Sequence, residues 1–381
     1  MSKILFITTN DHVSWGGSEE LWSKTALTLI NSYEVGVVKA KWTEEHDIVK
    51  SILVSGGSVY YKLKTNRKSI IEKVINAVKL KLGIKRPRSN DLEIVEDLCS
   101  YNLAVVSVGD HVDQKIVSYT SYLRKLGLPY VILVQLATNL RHLSDNQVFN
   151  IKTAYDASRG IGYLSKENYN VLKMQLGLTL NNAFKINNPF EFNQVYLPIV
   201  TNSYYQFACV ASFCTFHKGQ DMLLNVLSQD KWKQRNWILN LYGSGDNEKQ
   251  LMDLVDFYKL NEKVVFKGYV ENKEDIWRLN HILVMPSRME GQSLAMLEAM
   301  SYGRMVISTN VGAAQELIDD GITGFLAKAP TVEFIDEALE SAWQVRDKWL
   351  EMGKLSRKKL YEVIPHDPVL SFSNKLKELI R

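Results

Sequence analysis

Short apolar runs alternate with amphipathic segments along this chain. The apolar runs are rich in Val, Ile and Leu, a composition typical of strands buried on both faces of a parallel sheet. The segments between them repeat apolar residues at helical spacing. This alternation predicts an α/β protein in which helices cover both faces of doubly wound parallel sheets.

The predicted elements form two series. In the first, we expect strands at residues 3–9, 34–40, 103–109, 130–136, 160–165 and 183–187, and helices at 19–30, 70–82, 114–126 and 166–176. In the second, strands are expected at 206–212, 237–243, 263–268, 281–286 and 304–309. The stretch 186–204 between them carries two prolines and mixed polarity, so we interpret it as the crossing between two domains. Because parallel sheets bind ligands at the carboxyl ends of their strands, a ligand cleft is expected between the domains.

Length and composition agree with this organisation. A chain of 381 residues exceeds one ordinary domain. We assign residues 1–198 to an N-terminal domain, 199–365 to a C-terminal domain, and 366–381 to a helix that can pack back on the N-terminal domain. A hydrophobic content of 46% and a charged content of 23% are ordinary for a globular enzyme.

Charge, cysteines and apolar runs exclude several classes of protein. The net charge of +4 is too small to indicate a nucleic-acid partner, and three unevenly spaced cysteines indicate neither a disulfide framework nor a metal site. No apolar run approaches the roughly 18 residues that a membrane span needs. We therefore expect a cytoplasmic protein that reaches a membrane, if at all, as a peripheral protein at its inner face.

Two glutamates beside an apolar helix are the clearest chemical signal. The helix expected over 294–300 is apolar except for Glu298, which predicts a buried carboxylate that needs partners. Glu290 stands eight residues earlier, and in the intervening turn Ser293 is a candidate N-cap. Because a strand, a turn and a helix N-terminus together form an anion site, we expect the turn to hold a phosphate while each glutamate accepts hydrogen bonds from sugar hydroxyls.

The spacing of the two glutamates argues against a glycosidase. Glycosidases place their carboxylates about 5–9.5 Å apart, whereas eight residues of helix would separate Glu290 and Glu298 by about 12 Å. One long ligand with two hydroxyl-bearing parts fits better. The alternative that stays open is a capping glutamate together with a helix glutamate paired with an arginine such as Arg304.

Glycine-rich turns follow strands in both halves. Gly16 and Gly17 precede the first helix, and Gly243 lies in YGSG. Each turn can let a phosphate approach the backbone, or can be an ordinary strand-to-helix connection. Neither completes the Gly-x-Gly-x-x-Gly fingerprint, so an NAD-dependent oxidoreductase is disfavoured.

These motifs together resemble glycosyltransferase family 4, whose members are retaining enzymes with the GT-B fold. The resemblance rests on HKGQDMLLNVL (217–227), YGSG (242–245), VVFKGYV (264–270), PSRMEGQSLAMLEAMSYGRMVIST (286–309) and VGAAQELIDDGITGFL (311–326). It is looser in the N-terminal half, where WGGSEELWSK (15–24) matches. The resemblance implies two Rossmann-like doubly wound domains facing a central cleft. It also implies a metal-independent transferase of the hexosyltransferase type, with a nucleotide-diphosphate sugar as co-substrate, a glycan or lipid-linked acceptor and no other cofactor.

The resemblance also implies roles for individual residues. Glu290 would contact the donor sugar and Glu298 the ribose, while Lys218 would bind the diphosphate as a point charge. Backbone groups of Tyr269 and Val270 would meet the base. The candidate donor-binding residues are Gly16, Gly17, Lys218, Gly243, Tyr269, Val270, Glu290, Gly291, Gln292, Ser293, Leu294 and Glu298. The candidate catalytic residues are Glu290, Lys218 and the acceptor-side His111, for which a structural role is the alternative.

Two positions depart from the family pattern. Ser212 stands where the family usually has an arginine that clamps the diphosphate, and Gln135 stands where it often has a histidine. Losing such a cation can weaken the stabilisation of the leaving group by several kcal/mol. His217, Arg288 and Arg141 are possible replacements. A non-catalytic subunit that binds nucleotide sugar and a nucleotide-sugar 2-epimerase therefore stay open as alternatives.

A basic amphipathic segment covers residues 62–88. It contains ten Lys and Arg against one acidic residue, and its apolar residues recur at helical spacing. One interpretation is a helix that rests on an anionic membrane surface and brings the protein to a lipid-linked acceptor. The other is a domain helix with a solvated basic face.

Overall fold

The computed structural model describes residues 1–62, 90–191, 197 and 203–380. These residues form two compact units. The N-terminal unit comprises Met1–Tyr163, Tyr169–Ile186 and Val369–Arg381, and the C-terminal unit comprises Leu164–Asn168 and Asn187–Pro368. Each unit is built around one parallel sheet, as the alternating pattern predicts.

The sheet of the N-terminal unit has seven strands in the described residues. They are β1 (Lys3–Thr8), β2 (Glu34–Ala40), β3 (Ser58–Lys62), β4 (Leu103–Val108), β5 (Tyr130–Val134), β6 (Gly160–Tyr163) and β7 (Ala183–Lys185). Their order is β3-β2-β1-β4-β5-β6-β7, and every neighbouring pair is parallel. Chain order reverses beside β1, so this is a doubly wound sheet. The two central strands β4 and β5 are buried along their whole length, which explains their continuous apolar sequences.

In the part of this unit's chain that the structure describes, five α-helices lie between these strands. They are α1 (Gly17–Leu29), α2 (Asp47–Val54), α3 (Gln114–Lys125), α4 (Asp145–Asp156) and α5 (Lys166–Leu176). Local chemistry explains where several of them begin. Asp113 accepts a hydrogen bond from the amide of Lys115 at the start of α3, and Ser144 and Gln147 form a capping box at the start of α4.

The sheet of the C-terminal unit has six described strands. They are β8 (Tyr205–Val210), β9 (Trp237–Tyr242), β10 (Val264–Gly268), β11 (Ile282–Met285), β12 (Met305–Thr309) and β13 (Gly324–Ala327). Their order is β10-β9-β8-β11-β12-β13, again parallel throughout. The sequence predicts the first five of these strands. It misses β13, because four residues with glycine at the start give too little pattern.

The remaining helices follow in chain order. They are α6 (Thr215–Lys218), α7 (Gln220–Leu227), α8 (Asp230–Lys233), α9 (Glu248–Tyr258), α10 (Lys273–Leu279), α11 (Leu294–Ser301), α12 (Ala314–Leu317), α13 (Val332–Gln344), α14 (Trp349–Val363) and α15 (Pro368–Ile380). Most of α15 belongs to the N-terminal unit, where the guanidinium of Arg159 donates to the carbonyl oxygen of Leu379 at 2.7 Å.

Aromatic side chains fill one face of the C-terminal sheet. Phe207 stacks on Trp237 with ring centroids 6.0 Å apart, and Trp343 contacts both Trp232 and Trp349 edge to face. Such rings bury large apolar areas, so this cluster is a major source of stability for the unit.

Two features predicted from the sequence lie outside the residues that the structure describes, one of them except for a single residue. The helix predicted at 70–82 and nearly all of the basic segment at 62–88 lie outside them; the exception is Lys62, which is buried at the end of β3. Among the helices that the structure describes, none is both long and apolar enough to cross a membrane.

Candidate active site

The turn between β11 and α11 is built as the sequence predicts. Ser293 is the N-cap of α11, and its hydroxyl oxygen accepts a hydrogen bond from the amide of Met296 at 3.4 Å. The first amide groups of a helix have no acceptor within the helix and carry partial positive charge. The helix therefore presents donors that suit an anion at its N-terminus.

Lys218 and Glu290 are brought together although 72 residues separate them. The ammonium of Lys218 donates to Oε1 of Glu290 at 2.7 Å, and the hydroxyl of Ser287 donates to the same oxygen at 2.8 Å. The side chain of Glu290 is 11% exposed and that of Lys218 is 25% exposed. The pair is thus partly shielded from water yet open to a ligand.

A glycine explains why Lys218 lies beside this turn. Gly219 follows α6 with a φ of 66°. A Cβ atom on it would lie 2.0 Å from the carbonyl oxygen of Pro286, just after β11. Only glycine lets the backbone come this close to Pro286. The close approach places Lys218 beside the strand end that leads to Glu290.

Gly312 supports the same turn from the other side, a role that the sequence did not reveal. Its φ is 61°, and a Cβ atom would lie 2.5 Å from the carbonyl oxygen of Gly291 and 2.7 Å from that of Glu290. The next amide, of Ala313, donates to the carbonyl of Gly291 at 2.9 Å. The turn after β12 is therefore in direct contact with the turn that carries Glu290.

The side chain of Gln292 is occupied within the C-terminal unit. Its amide oxygen accepts from the backbone of Asn188 at 2.6 Å, its amide nitrogen donates to Asn187 at 3.0 Å, and it is 4% exposed. This side chain holds the turn in place. The part of Gln292 that can serve a phosphate is its backbone.

The sequence predicts a buried carboxylate at Glu298, but the structure shows this residue half-buried. Leu294, Ala295 and Glu298 are the partly exposed residues in the first two turns of α11, apart from its cap, and their spacing places them on one face. This face extends from the helix N-terminus to the carboxylate. Arg304, in contrast, is fully buried and donates to the backbone carbonyls of Leu197, Trp277, Asn280 and Tyr302.

The glycine-rich turn after β9 has a structural explanation. Gly243 has a φ of 135°, and a Cβ atom on it would lie 2.0 Å from the carbonyl oxygen of Ala211. Gly245 is equally constrained by the backbone of Phe213. Both glycines let two neighbouring strand ends touch, which favours the ordinary-turn alternative for Gly243.

Tyr269 and Val270 follow the edge strand β10. Tyr269 is 75% exposed and the ammonium of Lys273 lies 5.6 Å from the centre of its ring, while Val270 is half-buried. Because Tyr269 is mostly exposed, a flat ring such as a base can reach this segment.

Ser212 is exposed, and one expected replacement cation is already engaged. Arg288 forms a bidentate ion pair with Asp221, with both N–O distances 2.8 Å, and also donates to the carbonyl of Thr215 at 2.6 Å. The hydrogen bond to Asp221 raises the pKa of Arg288. Arg288 therefore orders the loop that leads to Glu290.

In the N-terminal unit, Gly16 and Gly17 lie at the start of α1. Gly16 is the N-cap with an extended backbone, and a Cβ atom on it would meet only Val13, at 3.7 Å. The nearby Glu19 is 3% exposed and accepts hydrogen bonds from Thr8 at 3.0 Å and Trp22 at 3.1 Å. Burial raises the pKa of Glu19. Glu19 thus ties the glycine turn to the end of β1, which the sequence did not reveal.

His111 is fully buried in the same unit. Its Nδ1 lies 3.0 Å from Asp110, which also accepts from Arg141 at 2.9 Å, and its Nε2 lies 2.6 Å from the side-chain oxygen of Gln175. Both ring nitrogens have partners, which favours the structural alternative for His111. Arg141 is likewise engaged, in the ion pair with Asp110.

Gln135 differs from these residues. It follows β5, is 6% exposed, and neither polar atom of its side chain has a hydrogen-bond partner among the described residues. Continuing the register of β4 and β5 places it beside Gly109, where a Cβ atom would meet nothing within 4 Å. A buried amide without partners beside open space is a candidate ligand contact.

Comparison with known proteins finds a family model that matches much of the C-terminal unit. Residues 205–344 match the family model described as "Glycosyl transferases group 1". This part of the chain is similar to the group 1 glycosyltransferases. The match covers less than half of the chain and includes Lys218, Gly243, Glu290 and Glu298.

Relatives match over about a third of the chain. An uncharacterised protein from the cps region of Klebsiella pneumoniae is 29% identical over 182 residues, which cover 38% of this chain and 51% of that protein. The O-antigen biosynthesis glycosyltransferase WclY of Escherichia coli is 31% identical over 117 residues, covering 31% of this chain and 32% of WclY. The chain thus spans about half or less of the length of these relatives.

Solved structures match over the whole chain. HepE of Anabaena, in complex with UDP, has a TM-score of 0.72 at 15% identity, covering 99% of this chain and 98% of HepE. Sucrose-phosphate synthase of Thermosynechococcus elongatus has a TM-score of 0.73 at 13% identity, covering 100% and 99%. The predicted fold class is confirmed: the two parallel Rossmann-like sheets are those of the GT-B fold.

Proposed function

We propose that this protein is a retaining glycosyltransferase that moves a sugar from a nucleotide-diphosphate donor to an acceptor hydroxyl in glycan biosynthesis. The observation that carries the proposal is the contact between Lys218 and Glu290 beside the N-terminus of α11, inside the region that matches the family model. Two relatives support it, because WclY is named for O-antigen biosynthesis and HepE was solved with UDP.

Donor binding follows from the charges at this site. The diphosphate accepts hydrogen bonds from the ammonium of Lys218 and from the amide groups of residues 291–294. The sugar hydroxyls donate to Glu290. Without a ligand, Lys218 and Glu290 hold each other at 2.7 Å. Donor binding thus replaces one ion pair with two new contacts. Glu298, further along the open face of α11, receives the ribose hydroxyls.

In the reaction, the bond between the anomeric carbon and the phosphate oxygen breaks. The acceptor oxygen forms its bond to the anomeric carbon on the same face, and its proton passes to the leaving phosphate. Negative charge grows on that phosphate, where Lys218 and oriented amide groups stabilise it. These groups supply the positive charge that a metal ion supplies in other transferases, so we propose a metal-independent reaction.

A non-catalytic subunit that binds nucleotide sugar is the second candidate. It is motivated by Ser212 and Gln135, two positions where a cation is expected and a neutral side chain stands. In the proposal of an active enzyme, Lys218 and the amide groups of residues 291–294 stabilise the phosphate charge, and Gln135 contributes hydrogen bonds only.

A donor panel tests these alternatives. Nucleotide-diphosphate sugars are incubated with and without cell-derived acceptors, and the release of nucleoside diphosphate and the product are followed by mass spectrometry. Release that requires acceptor is the expected result. Tight binding without turnover would instead indicate the subunit, and interconversion of the free donor would indicate an epimerase.

The proposed role of Glu298 has its own test. Glu298→Gln should weaken donor binding about tenfold, since a neutral amide accepts hydrogen bonds from the ribose more weakly than a carboxylate. The control is Glu333→Gln, which changes an exposed carboxylate on α13. Equal donor affinity of the two variants would remove the ribose assignment.

We also propose that residues 62–88 bring the protein to an anionic membrane surface that carries a lipid-linked acceptor. The composition of this segment supports the proposal, because it has ten cationic residues against one acidic residue. The structure limits this idea in one respect, because Lys62 is buried and cannot meet a lipid headgroup. In sedimentation with vesicles, binding should require anionic lipid and weaken with salt. Equal pelleting with neutral vesicles would refute it.

A further inference from the structure

Two lysines converge at the carboxyl edge of the N-terminal sheet. Lys62 is the last residue of β3, and Lys115 lies in the first turn of α3. Both bind one carboxylate, that of Asp11: Lys62 lies 3.0 Å from Oδ1, and Lys115 lies 2.5 Å from Oδ2. Two ammonium groups therefore share a single negative group in direct contact.

Lys62 is held in an unusually buried position. Its side chain is 2% exposed, its ammonium also donates to the carbonyl of Thr8, and it lies 5.2 Å from the centre of the Tyr119 ring. The hydroxyl of Tyr119 in turn donates to Asp91 at 2.8 Å. Burial lowers the pKa of Lys62, while Asp11 opposes that effect. A cation in such a place is costly unless an anion accompanies it.

The cluster is open on one side. The side chains of Asp11 and Lys115 are 25% and 34% exposed, so the far side of the carboxylate faces solvent. The carbonyl of Thr9 accepts from Lys115 at 3.3 Å, while its hydroxyl is buried and has no hydrogen-bond partner in the described part of the chain. This buried hydroxyl without a partner belongs to a residue that contacts Lys115, at a sheet edge where α/β proteins bind ligands, so it indicates a place for a ligand oxygen.

We propose that Lys62 and Lys115 form an anion subsite for a phosphate or carboxylate group of the acceptor, which Asp11 occupies in the ligand-free protein. The assignment of this anion to the acceptor rests on the proposed function, whereas the anion subsite itself does not. A phosphate dianion carries more charge than the Asp11 carboxylate, and it can also accept a hydrogen bond from Thr9. It therefore displaces Asp11 towards solvent, whereas a neutral hydroxyl group cannot.

Titration calorimetry of the full chain tests the subsite without any donor. The ligands are inorganic phosphate, glycerol 3-phosphate, acetate and glycerol, at constant ionic strength in a phosphate-free buffer. Both phosphates should bind, and comparison with acetate distinguishes phosphate from carboxylate as the preferred group. Glycerol should not bind.

Variants separate a binding role from a purely structural one. Asp11→Asn removes the competing carboxylate and should tighten phosphate binding about tenfold, whereas Lys115→Ala should weaken it about tenfold. The matched control is Lys125→Ala, an exposed lysine on the same helix, which should behave as the wild type. Phosphate should also raise the melting temperature of the Asp11→Asn variant more than that of the wild type.

The proposal would be wrong if the Lys115→Ala and Lys125→Ala variants bound phosphate with equal affinity. It would also be wrong if phosphate neither bound to the Asp11→Asn variant nor raised its melting temperature. A separate titration with nucleoside diphosphates keeps the two proposals apart. Nucleotide binding without phosphate binding refutes the subsite alone. Phosphate binding in a protein that transfers no sugar leaves the subsite in place and refutes the proposed function.

Discussion

Replacing Arg304 with methionine should destabilise the C-terminal unit strongly. The Arg304 side chain is fully buried, and it donates to four backbone carbonyls at 2.8–3.1 Å, including those of Trp277 and Asn280 at the end of α10 and of Tyr302 after α11. Methionine fills much of the volume but donates nothing, so these oxygens lose a charged donor. Bonds of this kind contribute roughly 1.5–3 kcal/mol each and are not additive when they share one group. We expect a total loss of about 3–5 kcal/mol.

Urea denaturation followed by tryptophan fluorescence measures this loss. Five of the eight tryptophans lie in the C-terminal unit, namely Trp232, Trp237, Trp277, Trp343 and Trp349, so the signal reports mainly on that unit. The control is Arg278→Met, which removes an arginine that is 52% exposed and pairs with Glu274 on the same helix. Such surface pairs contribute about 0–1 kcal/mol. If the Arg304 variant lost less than about 1 kcal/mol of unfolding free energy, the four carbonyl hydrogen bonds of Arg304 would not have the stabilising role given to them here.

Two further predictions concern the turn between β11 and α11 and the stability of the protein in acid. Gly312→Ala should weaken the binding of nucleoside diphosphates, because its Cβ atom would lie 2.7 Å from the carbonyl of Glu290; Gly321→Ala has a similar φ but nothing within 4 Å, so equal binding by the two variants would contradict this reason. The ion pair with Arg235 lowers the pKa of Glu340 to about 2. Its stabilisation is therefore complete above about pH 5 and is lost as the pH falls towards 2. Glu340→Gln should lower the melting temperature at pH 7 more than at pH 3, and an equal decrease at both would exclude this linkage.

Local patterns in the sequence predict most of the fold. Strands such as Tyr130–Val134 are continuous apolar runs because both faces are covered, and Ser293 is an N-cap because its chemistry suits that position regardless of distant contacts. Short elements are not predicted, because a few residues carry too little local pattern. The four-residue strand Gly324–Ala327 is defined by its pairing with β12 rather than by its own composition.

Contacts between distant residues are what the sequence does not reveal. The motifs single out Lys218 and Glu290 separately, but their contact depends on Gly219 approaching Pro286, which no local pattern encodes. Arg304 is fully buried and donates to four backbone carbonyl groups, and no local pattern in the sequence predicts these contacts. Glu298 was expected to be buried because its neighbours are apolar, but one face of α11 stays partly exposed.

A crystal structure of the protein with a bound nucleotide-diphosphate sugar tests the central claim most directly. We expect the diphosphate to lie within hydrogen-bonding distance of the Lys218 ammonium and the amides of residues 291–294, with the ribose at Glu298. Glu290 should have exchanged Lys218 for the sugar hydroxyls. A donor bound elsewhere, or a Lys218–Glu290 pair still intact at 2.7 Å beneath a bound donor, would contradict it.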